Sequence, residues 1–353
     1  MTKQRRRTRT IYLGGIPIGG GHPVVVQGMT KTDTRDVAAT LRQIAALQKA
    51  GCQVVRVAVP DAEAARALGR IKARSPLPIV ADVHFDWRLA LEALRQGADG
   101  LRINPGNIGA RWKLKELVRA LADRPVPLRV GVNAGSLPRD ILRKFRHPCP
   151  EALLEAALRE VQTLEELGYS MIKVSLKASS VPLTVQAYRL FSERTAYPLH
   201  LGISEAGPPE AGIIKSAVGL GVLLSEGIGD TLRVSLSASA VLEIRVAWGI
   251  LQSLGLGPPR AEVISCPTCG RCSIDIRRLA RKTELALRDI RAPVKVAVMG
   301  CVVNGPGEAR EADVGITGAR GKGIIFRKGR VLRTVKEEHL LQELLRELRA
   351  WRP

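Results

Sequence analysis

Aromatic residues are nearly missing from this chain: Phe, Trp and Tyr together make up 3% of its 353 residues. Base stacking and aromatic cages are therefore not its main means of recognition. Long apolar runs are missing as well. No stretch reaches the roughly 20 apolar residues that a membrane span needs, and the N-terminus carries no apolar signal core. A cytoplasmic protein with no membrane partner is expected. Cysteine is scarce, with six residues, too few for a disulfide framework at this length. Clustered thiols in a reducing compartment more often bind metal or do redox chemistry. Acidic residues are the last shortage: 33 Asp and Glu stand against 55 Lys and Arg, a formal net charge of +22. That excess suits nucleic acid, anionic metabolites or an acidic protein partner. Only "KQRRRTR" near the start is dense, and it reads as a solvated arm. The remaining charge is dispersed, which argues against a nucleic-acid stripe.

What is present is a repeat. After a Gly-rich hairpin ("IYLGGIPIGGGHPVVVQGMT"), β-rich apolar runs alternate with amphipathic helical stretches. The runs are "PVVVQGM", "CQVVRVAV", "LPIVADVH", "GLRINPG", "PLRVGVN", "MIKVSLK", "PLHLGISEAG" and "DTLRVSL". Strands alternating with helices imply a parallel sheet, and eight near-equal units favour a closed (β/α)₈ TIM barrel over an open doubly wound sheet. The pattern stops at the Gly/Pro-rich "LGLGPPRAEV", residues 254–263. Residues 1–255 are expected to form the substrate-binding barrel with its hairpin, and residues 260–353 a smaller α/β domain. The latter contains a hairpin around "IIFRKGRVL" and finishes with the helix "KEEHLLQELLRELRAW".

Side chains alternate across a strand, so parity assigns faces. Arg56 opposes Val55 and Val57; Arg102 and Asn104 oppose Leu101 and Ile103. Arg129 and Asn133 oppose Leu128, Val130 and Val132; Lys173, Ser175 and Lys177 oppose Ile172, Val174 and Leu176. Arg233, Ser235 and Ser237 repeat the pattern, and Asp82 shares a face with His84. If the aliphatic faces pack on the helices, six cations from five strands point at one axis. Asp82 and Glu205 cannot neutralise them, and buried charge is costly unless paired. An anion with more than one charge, such as a diphosphate, is the economical ligand; the alternative is a solvated, ion-paired rim. Lys215 in "KSAVGLGVLLSEGIGD" falls after the seventh strand, a usual phosphate position in such barrels. His84 and Glu205 are the candidates for proton transfer, with orientation of the arginines as the alternative role for the carboxylates.

The other constellation is "ISCPTCGRC" followed by "VAVMGCVVNGPGE". Cys266 and Cys269 come from a tight turn, Cys301 from a strand end, and Cys272 makes four thiols formally available. Soft thiolates bind zinc or iron–sulfur clusters. The glycines of "NGPGE" let backbone close round a bulky group, and Glu308 adds a hard oxygen. This favours iron–sulfur over a closed zinc knot. Cys52 and Cys149 read as packing or surface thiols.

Together "ISCPTCGR", "VAVMGCVVNGPGEAR", "PLHLGISEAG", "GIGDTLRVSL", "LRVGVNAGSL" and "LRINPGNIG" closely resemble the bacterial 4-hydroxy-3-methylbut-2-en-1-yl diphosphate synthases, in unbroken order from about residue 10 to 320. The resemblance implies a TIM barrel joined to a domain similar to the cluster domain of sulfite reductases. It implies a [4Fe–4S] cluster held by Cys266, Cys269, Cys301 and Glu308. The implied reaction is a two-electron reductive ring opening of 2-C-methyl-D-erythritol 2,4-cyclodiphosphate with loss of water, in the non-mevalonate isoprenoid pathway. Reduced flavodoxin or ferredoxin would supply the electrons, and a homodimer would share each active site between subunits. Substrate binding would fall to Arg56, Arg102, Arg129, Asn133, Lys173, Lys177, Arg233 and Ser235. Glu205, His84 and Asp82 would take catalytic roles, with Asn304 beside the cluster. Two features of the chain qualify the match. Cys272 stands where the family generally has no cysteine, and is expected not to ligate. The large insertion of plant-type relatives is absent, so the two-domain form is expected.

Overall fold

The computed structural model describes residues 4–104, 108–287, 290, 292–301, 310–319 and 321–350. The chain divides into two compact units, Met1–Gly257 and Pro258–Pro353. In the first, a hairpin of β1 (Ile11–Leu13) and β2 (Ile16–Ile18) precedes eight parallel strands. These are β3 (Val25–Met29), β4 (Val54–Ala58), β5 (Ile79–Asp82), β6 (Gly100–Ile103), β7 (Leu128–Asn133), β8 (Ile172–Lys177), β9 (His200–Leu201) and β10 (Thr231–Leu232). They pair in the order β8-β7-β6-β5-β4-β3-β10-β9, and a parallel bridge between Val174 and Leu199 closes the ring. All eight apolar runs therefore became barrel strands. The last two pair over only two residues each, and Gly202, directly after β9, leaves room for Lys177: a Cβ there would lie 2.5 Å from Nζ.

Helices α1 (Val37–Lys49), α2 (Ala62–Lys72), α3 (Trp87–Arg95), α4 (Arg111–Asp123), α5 (Arg139–Phe145), α6 (Pro150–Glu166), α7 (Val181–Arg194), α8 (Pro209–Ser225) and α9 (Ala240–Ser253) connect and surround the strands. Several start on a side-chain cap at the barrel mouth: Asp36 accepts from Ala39 N, Asp61 from Ala64 N, and Ser239 from Leu242 N. Each such cap stabilises its helix by about 1 kcal/mol.

The strand faces separate as parity requires. Val55, Val57, Leu101, Ile103, Leu128, Val130, Val174 and Leu176 are buried in one apolar core with the helices. Inward-facing Val25, Val54 and Val80, near the strand starts, instead pack with Ile11, Leu13 and Ile18 of the hairpin. The hairpin thus plugs the N-terminal end and makes the barrel floor apolar. The basic arm is only partly solvated, where a fully solvated one was expected: Arg7 and Arg9 are exposed, but Arg5 and Arg6 are partly buried. Arg6 donates to the Ser192, Thr195 and Tyr197 carbonyls at the C-terminal end of α7. Arg5 reaches the Gly229 carbonyl and buried Asp230, at 3.2 Å. Helix-end carbonyls attract cations, which holds the arm down.

The second unit is a five-stranded sheet in the order β11 (Glu262–Ser265), β12 (Lys295–Met299), β13 (Val314–Ala319), β14 (Lys322–Arg327), β15 (Arg330–Lys336). The first three are parallel, with α10 (Ile276–Leu287) linking β11 to β12, and the last two are antiparallel. The expected hairpin turns at Lys328 and Gly329, both with positive φ (46° and 75°), the backbone a tight hairpin turn demands. The closing helix α11 (Leu340–Ala350) starts later than "KEEHLL" implies, since Lys336 is still paired with Lys322 in the sheet. Leu340 fills the space over Gly323, where a Cβ would lie 2.2 Å from it.

Candidate active site

Above its apolar floor the barrel becomes cationic. Asp82 pairs in register with Arg102, Arg102 with Arg129, and Arg129 with Lys173, so one row across four strands carries four charged side chains. Asn133 pairs with Lys177 in the layer nearer the mouth. Gly131, between these layers, leaves room for Arg102: a Cβ there would stand 3.0 Å from Nε. A cavity of about 550 Å³ opens at the strand C-termini, lined by Arg56, Arg102, Arg129, Lys177, Arg233, Asn133, Ser235, His84 and Glu205. Two predicted residues lie outside its lining. Asp82 and Lys173 are both buried, at 5% and 2% exposure, Asp82 beside Arg102 and Lys173 beside Arg129.

The cations crowd one another. Burial, then Arg129, pushes Lys173 down to about 7, with Asp230 opposing. Burial and neighbouring arginines hold Lys177 and Arg129 well below their ordinary values, and burial and Arg56 bring Arg233 to about 10 although Glu243 opposes. Buried Nε and Nη1 of Arg129, and Nε of Arg102 and Arg233, have no hydrogen-bond acceptor among the described residues. Buried donors without partners are costly. A polyanion in the cavity would relieve both the repulsion and the missing bonds.

Asp82 is the anion inside the ring. It lies 3.1 Å from Arg102 Nη1, 3.6 Å from Arg56 Nε and 3.5 Å from His84 Nε2. Burial opposes its ionisation, but Arg56, His84, Arg102 and Arg129 together hold its carboxyl well below the usual carboxylate range. His84 therefore does touch Asp82, and it also contacts Arg102 Nη1 through Nδ1 at 3.0 Å. Glu205 is different. It is exposed on the cavity rim, with a left-handed φ of 51°, and has no ion-pair partner among the described residues. Lys215 does not reach the cavity: it lies on the exposed side of α8. The glycine Gly219 in that stretch serves packing instead, since a Cβ there would meet Ile203 at 2.6 Å.

In the second unit, parallel β11 and β12 end side by side, Ser265 opposite Val298. Cys266 follows the first strand, and Gly300 and Cys301 the second. Gly300 N donates to Cys266 Sγ at 3.2 Å, and a Cβ on Gly300 would lie 2.5 Å from Cys272 Sγ. Cys269 is exposed, and Cys272 Sγ donates to the Ile274 carbonyl at 3.2 Å. Among the described residues no group of three His, Cys, Asp or Glu side chains is gathered closely enough to hold a metal ion. Asn304 and Glu308 lie outside the described residues. The donor chemistry suits an iron–sulfur group: soft thiols leave one sheet end, a glycine leaves space between them, and a backbone N–H is already directed at sulfur.

Residues 8–248 match the GcpE TIM-barrel domain, and residues 262–350 the GcpE protein C-terminal domain. The chain belongs to the GcpE family. It is 58% identical over 346 residues, 98% of this chain and 99% of the relative, to a protein of Thermodesulfovibrio yellowstonii. A Geobacter sulfurreducens relative is 57% identical, with 98% of each chain covered. Both are named 4-hydroxy-3-methylbut-2-en-1-yl diphosphate synthase (flavodoxin). This GcpE chain is accordingly an enzyme, an oxidoreductase of isoprenoid biosynthesis. The dihydropteroate synthase of Yersinia pestis, at 12% identity, 70% coverage of this chain, 97% of that one and a TM-score of 0.50, shares the fold alone.

One member of the GcpE barrel site escapes parity reasoning on strands. Glu243 sits on α9, fully buried at 1% exposure. It accepts from Leu236 N at 2.8 Å and pairs with Lys31 Nζ at 2.9 Å and Arg233 Nη2 at 3.6 Å. The signal was in the sequence: Ala240, Glu243, Ile244, Ala247 and Leu251 share one buried stripe at helical spacing. An acidic residue on such a stripe requires a buried partner.

Proposed function

We propose that this enzyme catalyses the reductive ring opening and dehydration of 2-C-methyl-D-erythritol 2,4-cyclodiphosphate to (E)-4-hydroxy-3-methylbut-2-enyl diphosphate, with two electrons from reduced flavodoxin or ferredoxin. The observation that carries this reading is the barrel cavity, where cations with unpartnered donors face a space about 550 Å³ in volume. The names of the relatives supply the product class and the flavodoxin.

Arg56, Arg102, Arg129, Lys177 and Arg233 clamp the diphosphate, with Asn133 and Ser235 completing its hydrogen bonds. Asp82 keeps Arg56 and Arg102 aimed, and His84 is held by both Asp82 and Arg102. Glu205, on the rim with no ion-pair partner among the described residues, is the group free to exchange a proton with the substrate. Cys266, Cys269, Cys301 and Glu308 would hold a [4Fe–4S] cluster, with Asn304 beside it. When bound, that group supplies single electrons and Lewis acidity toward the leaving oxygen.

The enzyme works in the cytoplasm as a homodimer with sites shared between subunits. Supporting the pairing, Ile214 and Val218 stand exposed on α8, beside an apolar groove formed with α9 by Ile213, Ala217, Val246 and Ile250. No helix among the described residues is long and apolar enough to cross a membrane. The net charge of +22 would steer an acidic electron carrier. The test is an anaerobic assay with the cyclic diphosphate and an artificial one-electron donor. Turnover is expected; protein with intact cluster that leaves the substrate unchanged would sink the reading.

A further inference from the structure

Two buried carboxylates pair with three of the cavity's cations. Asp82, from β5, serves Arg56 and Arg102. Glu243 comes from outside the barrel, from helix α9, and serves Arg233 and Lys31. Its Oε1 is committed to Leu236 N at 2.8 Å and Lys31 Nζ at 2.9 Å. Its Oε2 is buried, has no hydrogen bond among the described residues, and lies 3.6 Å from Arg233 Nη2. Arg233 in turn has a buried Nε with no acceptor among the described residues and lines the cavity. Lys31 also donates to the Leu236 and Ala238 carbonyls, so the carboxylate and the lysine together fix the chain segment that follows Arg233.

We propose that Glu243 is a positioning residue: its fixed carboxylate orients Arg233 toward anions in the barrel cavity, as Asp82 does for Arg56 and Arg102. Oε1 is tied to backbone and Lys31, so Oε2 is left at one place as an anchor for one end of the guanidinium. The other nitrogens of Arg233 are then directed at the cavity. The alternative, that Glu243 is simply another negative charge near an anion site, makes the opposite prediction. Neutralising a nearby negative charge would tighten anion binding by removing repulsion, whereas loss of an anchor weakens it.

The inference rests on the cavity being the anion site of the proposed reaction, and inorganic pyrophosphate keeps the two claims apart. Pyrophosphate binding to the full-length protein tests Glu243, and turnover of the cyclic diphosphate tests the reaction. Calorimetric titration of Glu243→Gln is expected to show about tenfold weaker pyrophosphate binding. The amide oxygen of Gln can still accept from Leu236 N, which preserves the fold. In an Arg233→Met background the same substitution is expected to change affinity little, because the anchored group is gone. A purely structural role would weaken binding equally in both backgrounds. Glu243→Asp retains the charge but withdraws it by one methylene, and is expected to lie between wild type and Gln. Unchanged or tighter binding by Glu243→Gln overturns the proposal. So does an equal loss with and without Arg233, or a wild-type protein that does not bind pyrophosphate.

Discussion

The two units, a closed parallel barrel and a mixed five-stranded sheet, place their chemistry on different parts of their strands. In the barrel most of the cations belong to the strands themselves, locked in register rows such as Asp82–Arg102–Arg129–Lys173, with Arg233 one residue past β10. In the second unit the thiols follow the strand ends, with Cys266 one residue past β11 and Cys301 two past β12. Strand positions hold charge rigidly at fixed spacing, which suits a ligand of fixed shape and charge. Positions beyond the strands allow several thiols to converge on a group that the protein must close around.

The comparison predicts that the two sites fail independently. The largest effect is expected from Cys301→Ser, which should abolish iron loading and turnover while leaving pyrophosphate binding in the barrel intact. Iron analysis beside calorimetry decides it, and lost pyrophosphate affinity would break the division. The converse variant, Arg129→Met, removes a cation only 3% exposed and should weaken pyrophosphate binding about a hundredfold, with iron content unchanged.

Glu205→Gln should lower kcat by about a hundredfold with little change in substrate affinity, because its carboxylate faces the rim and pairs with nothing among the described residues. A matching loss of affinity would make it a binding residue instead.

Lys173 gives a smaller, pH-dependent effect. Its ammonium is pushed down to about 7 from 10.5, so between those values the unfolded chain binds a proton that the folded one does not. Its contribution to stability therefore rises with pH across that window and is lost as pH falls through it. Lys173→Met should flatten that rise in denaturant titrations at pH 7 and pH 9; an unaltered slope would show that the lysine is charged in the fold. Least of all, Cys272→Ser should leave iron content near wild type, since its thiol is spent on the Ile274 carbonyl. Loss of iron from that variant would promote Cys272 to a ligand.

How far each region was legible follows from the same contrast. Alternation assigned Arg56, Arg102, Arg129, Lys173, Lys177 and Arg233 to one face because the period of a strand is fixed by covalent geometry. It could not order them by depth, so Lys173 below the cavity and Lys177 in its wall read alike. Lys215 was misplaced because its position after the seventh strand says nothing about which side of α8 it occupies. The docking of Arg5 and Arg6 in the otherwise exposed arm was not legible because their acceptors are mostly carbonyls, which carry no signal in side-chain composition.

By itself, the sequence determined the barrel, the inward ring of cations and the pairing of cysteines with strand ends, since each follows from local periodicity and spacing. Only the tertiary structure decided which carboxylates pair with the cations of that ring. Asp82 enters along a strand and Glu243 through a helix roughly 160 residues later, while Glu205, in the expected motif, turns out to the rim. Charge pairing depends on distance in space, and no local pattern records which distant element will supply the counter-charge.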